Sequence, residues 1–112
     1  MKKTTLITGA GRGIGLEIAK IFASKNENLI LTIRKSNQKK IIEKIMKNYH
    51  CQFKIFVGDL NNLNFVKKIG KQVKYVTTII NNASGENQKY FTDVTEKDLT
   101  EMINVNLIAN FV

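Results

Sequence analysis

Eight consecutive residues, Thr8-Gly9-Ala10-Gly11-Arg12-Gly13-Ile14-Gly15, hold the clearest chemistry in this chain. Four of its seven glycines fall here, after the apolar stretch Thr4 to Thr8 and before the helical pattern Ile14 to Ser24. A strand, a glycine-rich turn and a helix start, in that order, make an anion cradle. Glycines let the backbone approach a phosphate closely, and the unsatisfied N–H groups and positive dipole end of the helix attract it. The expected ligand is therefore a phosphate-bearing nucleotide. A tight glycine turn without a ligand is the alternative reading.

The spacing narrows the choice. A P-loop closes with Gly-Lys-Ser/Thr, whereas this turn closes with Gly13-Ile14-Gly15 and has no lysine to reach a γ-phosphate. The dinucleotide spacing G-x-G-x-x-G also fails, because a reading from Gly9 and Gly11 puts its third glycine on Ile14. The pattern that fits is T-G-x-x-x-G-x-G. Three further motifs follow in order: Asp59-Leu60 after the apolar run Phe53 to Val57, Asn81-Asn82-Ala83 after Tyr75 to Ile80, and Asn104-Val105-Asn106-Leu107 near the end.

Together these residues resemble the short-chain dehydrogenase/reductase family, and the resemblance runs from Thr4 to Val112. It implies a cofactor turn formed by Gly9, Gly11, Arg12, Gly13, Ile14 and Gly15. It implies an adenine contact at Asp59 and Leu60, and further cofactor contacts at Asn81, Asn82 and Ala83, where the family carries N-N-A-G. Ser84 stands in place of that last glycine, and Gly85 follows it. The turn with Arg34 is similar to that of bacterial 3-oxoacyl-carrier-protein reductases and NADP-dependent carbonyl reductases. The resemblance also implies a small-molecule carbonyl or alcohol substrate, hydride transfer, and a homo-oligomer for the complete enzyme.

Charge speaks to the cofactor. Folds of this kind that prefer NAD place an acid at the end of the second strand to accept hydrogen bonds from the adenosine ribose. Here that strand ends Thr32-Ile33-Arg34-Lys35. A 2′-phosphate carries about −2 charge, and Arg34 would bind it through charge-assisted hydrogen bonds. Arg12 is placed to reach the same group. NADP(H) is expected to be preferred over NAD(H), with Arg34 as an ordinary surface arginine the alternative.

The family's proton chemistry needs a tyrosine with a lysine four residues on, because an unperturbed phenol near pKa ~10 is a poor acid–base at neutral pH. Tyr49 is followed at that spacing by Phe53, Tyr75 by Ile79 and Tyr90 by Val94, so none fits. Of the catalytic set only Asn106 has a counterpart. Its implied role is to bend its helix and hold a water in the proton relay. The expectation is a 1–112 unit that forms the cofactor-binding portion of a single Rossmann domain and lacks the catalytic half. A non-catalytic dinucleotide-binding or interaction module is the alternative.

These residues need elements to hold them. Strands are expected over Thr4 to Thr8, Asn28 to Ile33, Gln52 to Val57 and Tyr75 to Ile80. Helices are expected with inward Ile14, Ile18, Ile21 and Phe22; then Ile41, Ile42, Ile45, Met46 and Tyr49, capped by Ser36; then Leu63, Val66, Ile69 and Val73. A last helix from Thr95, with Asp98 three residues on imitating a capping box, carries Leu99, Met102, Ile103, Leu107 and Phe111. The alternation predicts an α/β fold, a Rossmann-type doubly wound parallel sheet of about four strands in order 3-2-1-4. Its ligand would lie at the carboxyl ends of the strands near the switch point. Every motif above falls at such an end or in the last helix.

Composition sets looser bounds. The 112 residues are 43% hydrophobic, enough for one domain with a core. The net charge of +9 raises a nucleic-acid reading. The basic residues, all lysine except Arg12 and Arg34, are scattered along the chain, which favours a solvated surface and no nucleic-acid partner. Cys51 is the single cysteine, suggests a buried strand start, and fits a reducing compartment. Met1-Lys2-Lys3 precedes too short an apolar run for a signal peptide, and no stretch approaches membrane-spanning length. No metal site and no membrane partner are expected, and the location expected is cytoplasmic.

Overall fold

The computed structural model describes residues 3–72, 76–83, 95–97 and 100. Val73, Tyr75, Ser84, Gly85, Tyr90, Asp98, Asn104–Leu107 with the expected catalytic Asn106, and most of the helix expected from Thr95 lie outside them. The elements alternate: β1 (Thr4–Ile7), α1 (Gly13–Ser24), β2 (Asn28–Ile33), α2 (Lys39–Met46), β3 (Phe53–Val57), α3 (Leu63–Gln72) and β4 (Thr78–Ile80). A single 3-10 turn, Ser36–Gln38, precedes α2.

The four strands form one parallel sheet in the order β3-β2-β1-β4, as the alternation predicts. Leu6 aligns with Ile30 and Ile79, so β1 lies at the centre with its carboxyl end flanked by those of β2 and β4. Successive side chains on a strand point to opposite faces, and both faces are covered. Ile7, Leu29 and Leu31 pack with Ala19 and Ala23 of α1 and with Ile42 and Met46 of α2. Leu6 and Ile30 point the other way and pack with Leu60 and with Val66 and Ile69 of α3. Burial on two sides explains why β2 reads as a nearly continuous apolar run.

The contact line of α1 differs from expectation. Ile14 is 73% exposed and Ile21 54% exposed. The buried residues are Gly15, Ala19 and Ala23, with Leu16, Ile18 and Phe22 packed beside them. Small residues at i, i+4 and i+8 share one helix face and let the helix axis come close to the sheet. The bulky isoleucines at 14 and 21 are left outside that close line. In α2 the expected face holds for Ile42, Ile45 and Met46, and Tyr49 just beyond its end packs on the same core, while Ile41 is exposed. Leu63 at the start of α3 is also exposed.

Local capping departs from the sequence reading at one point. Ser36 makes no side-chain cap; the 3-10 turn occupies its place and α2 begins three residues later. Instead Asn62 caps α3, its Oδ1 accepting the N–H groups of Asn64 at 3.0 Å and Phe65 at 3.3 Å. β4 is shorter than the run Tyr75 to Ile80 implies, starting at Thr78. Cys51 lies just before β3 and is half-buried against the α1/α2 side of the core. Glu96, Lys97 and Thr100 are helical. Among the described residues no helix is long and apolar enough to cross a membrane.

Candidate functional site

The glycine turn leaves β1 at Thr8 and enters α1 at Gly13. Three anchors fix it. The Thr8 N–H donates to the Ile80 carbonyl at 3.1 Å, continuing the β1–β4 ladder. The Gly9 N–H donates to Thr32 Oγ1 at 3.2 Å and the Ala10 N–H to the Thr32 carbonyl at 2.9 Å, tying the turn to the end of β2. On the other side Thr8 Oγ1 accepts both the Asn82 N–H at 3.1 Å and the Ala83 N–H at 3.0 Å. Asn82 Nδ2 in turn donates to the Gly9 carbonyl at 3.1 Å. The ends of β1, β2 and β4 are thus tied together by Thr8, Thr32 and Asn82.

The glycines divide by what surrounds them. Gly9 has φ +68°, and a Cβ there would stand 2.9 Å from Ala83 Cα. A Cβ on Gly15 would strike the Gly9 carbonyl oxygen and stand 2.5 Å from Asn82 Nδ2. Both positions are crowded by protein and fix the approach of helix to strand. Gly13 has φ +58° and nothing within 4 Å of a Cβ position. Left-handed backbone beside open space is what an anion needs at a helix start.

The start of α1 suits that role. Its N-cap residue, Arg12, has an extended backbone and makes no side-chain cap, and the first turn contains no acid. The first N–H groups of a helix have no intrahelical partner. Arg12, Gly13 and Ile14 are exposed and Gly15 is buried, so the first three border the open side of the turn.

At the neighbouring strand ends, Arg34 follows β2 and Asp59 follows β3. Arg34 Nη2 lies 3.7 Å from Asp59 Oδ2, with side-chain exposures of 76% and 44%. Asp59 Oδ1 accepts the Asn61 N–H at 2.9 Å, which holds the carboxylate while Arg34 remains open to solvent. Such an exposed pair contributes less than about 1 kcal/mol to stability. Leu60 turns into the core with Leu6 and Val66, leaving Asp59 the accessible member of that pair. Asn81 is exposed, and Asn82 and Ala83 are half-buried beside Gly9.

The structure therefore brings Gly9 to Gly15, Arg34, Asp59 and Asn81 to Ala83 to one end of one sheet. The sequence profile of the short chain dehydrogenases matches residues 3–112. The chain belongs to this family.

Members are oxidoreductases built on an NAD(P)-binding Rossmann fold. The chain is 34% identical over 116 aligned positions to the 3-oxoacyl-(acyl-carrier-protein) reductase FabG of Buchnera aphidicola subsp. Baizongia pistaciae, covering 98% of this chain and 46% of that protein. It is 30% identical to 17-beta-hydroxysteroid dehydrogenase 13 of Mus musculus, covering 97% of this chain and 37% of the relative. The chain thus spans less than half the length of these short-chain dehydrogenase relatives. A short-chain dehydrogenase from Sphingobium yanoikuyae, solved in complex with NADPH, superposes with a TM-score of 0.88 at 23% identity, covering 96% of this chain and 43% of that one.

Two contributors to this short-chain dehydrogenase site, and one helix cap just beyond it, escaped the sequence reading. Thr8 was legible only as a motif letter; its hydroxyl joins residues 74 and 75 positions away. Thr32 carried no signal, because a threonine at a strand end is common. Asn62 carried one: an Asn immediately before an apolar helical pattern is a cap signature. Among the described residues no group of three or more His, Cys, Asp or Glu could hold a metal ion.

Proposed function

We propose that residues 1–112 are the NADP(H)-binding portion of an oxidoreductase that interconverts a small-molecule carbonyl and an alcohol. The observation that carries the reading is the turn itself: left-handed Gly13 beside open space, at an uncapped helix start free of acids, with Arg34 exposed at the end of β2. These residues fit a dinucleotide. The open side of Gly11 to Gly15 would take the pyrophosphate, Asp59 the adenine end, and Asn81 to Ala83 the stretch leading toward the nicotinamide. Arg34 and Arg12 would meet the 2′-phosphate.

When bound, the nicotinamide supplies or accepts a hydride. The residues of this chain bind and orient it. Proton transfer requires a tyrosine and lysine at Y-x-x-x-K spacing, which these 112 residues do not contain, so in this proposal that step belongs to residues outside them. The similarity to a 3-oxoacyl-(acyl-carrier-protein) reductase supports carbonyl reduction as the direction, and membership of the family supports a homo-oligomer as the complete enzyme's form.

The test is a pair of titrations. The protein is expected to bind NADPH more tightly than NADH, and Arg34→Asp is expected to reverse the order. An acid at that position repels a 2′-phosphate and accepts hydrogen bonds from ribose hydroxyls. Equal affinities in the unsubstituted protein would sink the proposal.

A further inference from the structure

The connection after β2 returns to the glycine turn. It leaves the strand as Arg34-Lys35 and tightens into the 3-10 turn, where the Gln38 N–H donates to the Lys35 carbonyl at 3.1 Å. The Gln38 side chain then lies against Gly11. A Cβ built on Gly11 would stand 3.0 Å from Gln38 Cδ and 3.4 Å from its Nε2, and would overlap Oε1. The side chain is half-buried. Among the described residues its carboxamide makes no hydrogen bond.

This placement has a chemical consequence. Gly11 immediately precedes Arg12, and Arg34 opens the loop that Gln38 closes. The carboxamide therefore sits where the two arginine-bearing segments converge. It offers two N–H donors and a carbonyl acceptor, none of them used among the described residues, and the glycine beneath it leaves room for it. An acid in the β2 end region reads ribose hydroxyls; a neutral donor does not repel a phosphate and gains most from an acceptor bearing charge.

We propose that Gln38 is a specificity-determining residue, whose carboxamide, seated on Gly11, donates a hydrogen bond to the 2′-phosphate of the adenosine ribose. This rests on the NADP(H) reading above and names a residue that reading does not use. Gln38 adds a directional donor to the charge of Arg34, and Gly11 is the floor that holds it in place.

Two variants of the full chain test it, with NADPH and NADH titrated separately against each. Gln38→Glu keeps the shape but places a carboxylate at the phosphate; NADPH affinity should fall about tenfold or more, while NADH affinity stays within about threefold. Gln38→Met keeps length and packing without donors, and should weaken NADPH by about three- to tenfold with NADH unchanged. Retained NADH binding shows that each variant is folded. Equal losses for both cofactors, or an unchanged NADPH/NADH ratio, would overturn the assignment by showing that Gln38 only packs against the turn. An unsubstituted protein that binds NADH as tightly as NADPH would overturn the underlying reading and this assignment with it. NADPH preference that is sensitive to Arg34→Asp but not to Gln38→Glu would overturn this assignment alone.

Discussion

Thr8 is held at the junction of β1, β4 and the glycine turn, and its hydroxyl oxygen shares in the joining. Its Oγ1 accepts two backbone N–H groups, from Asn82 and Ala83, at 3.1 and 3.0 Å. Thr8→Val keeps the shape and leaves both donors without that acceptor. Asn82 N–H retains a second contact to the Ile80 carbonyl at 3.1 Å, so the main loss falls on Ala83. A half-buried donor left unsatisfied costs about 1–3 kcal/mol. Thermal denaturation should show the Thr8→Val midpoint lowered and Thr8→Ser near the original value; a Val variant as stable as the parent would remove Thr8 from this role. Arg34 works at the same scale with the opposite balance. Its pair with Asp59 at 3.7 Å is exposed, so Arg34→Asp should leave stability nearly unchanged while inverting cofactor preference. The placement of Arg34 at the end of β2 was legible because the apolar run before it marks the strand. The roles of Thr8 and Gln38 were not, since each depends on a partner distant in sequence.

Among the elements, the turn and α1 behave as one unit in which the glycines are not equivalent. Gly13 has φ +58° and open space around it, so Gly13→Ala meets a backbone penalty of about 1–2 kcal/mol with no steric clash. The added methyl also occupies space that a phosphate would take. Gly15→Ala meets fixed backbone at Gly9, and the start of α1 must move away from the turn. Gly11→Ala meets the far end of the flexible Gln38 side chain, which can swing aside. Expected stability losses therefore rank Gly15→Ala first and Gly11→Ala last. Denaturant midpoints for the three variants check the order, and a Gly11 variant as damaged as the Gly15 one would contradict it. The same unit shows why helix faces were only partly legible. Large apolar residues at 14, 18, 21 and 22 suggest one buried stripe, yet the sheet is met along Gly15, Ala19 and Ala23. Hydrophobic periodicity weights bulky residues, whereas a helix lying close over a parallel sheet selects small ones. Strand order, by contrast, was readable because β-α alternation with right-handed crossovers leaves few topologies.

For the molecule as a whole, both margins of the described sheet are decisive. β3 forms one margin and carries the exposed Lys54, a charge of the kind that discourages pairing with another chain. β4 forms the other; it is three residues long, its Ile79 is 55% exposed, and no charged residue lies within Thr78–Ile80. An apolar strand edge without a charge is a template for association. A polypeptide limited to residues 1–112 should therefore self-associate on size-exclusion chromatography with light scattering, not run as a monomer of 12.7 kDa. Asp or Lys in place of Ile79 should reduce that association, since a charge at the margin opposes pairing. The same polypeptide should show no NADPH-dependent carbonyl turnover, because no tyrosine here has a lysine four residues on to make its phenol a usable acid at neutral pH. Cofactor binding and turnover are thus expected to be separable in this chain. Quenching or enhancement of NADPH fluorescence should report binding, while NADPH absorbance in the presence of a carbonyl substrate should stay constant. Steady consumption by the purified 112-residue polypeptide would mean that another residue moves the proton, and would overturn the assignment of that step to residues outside the chain.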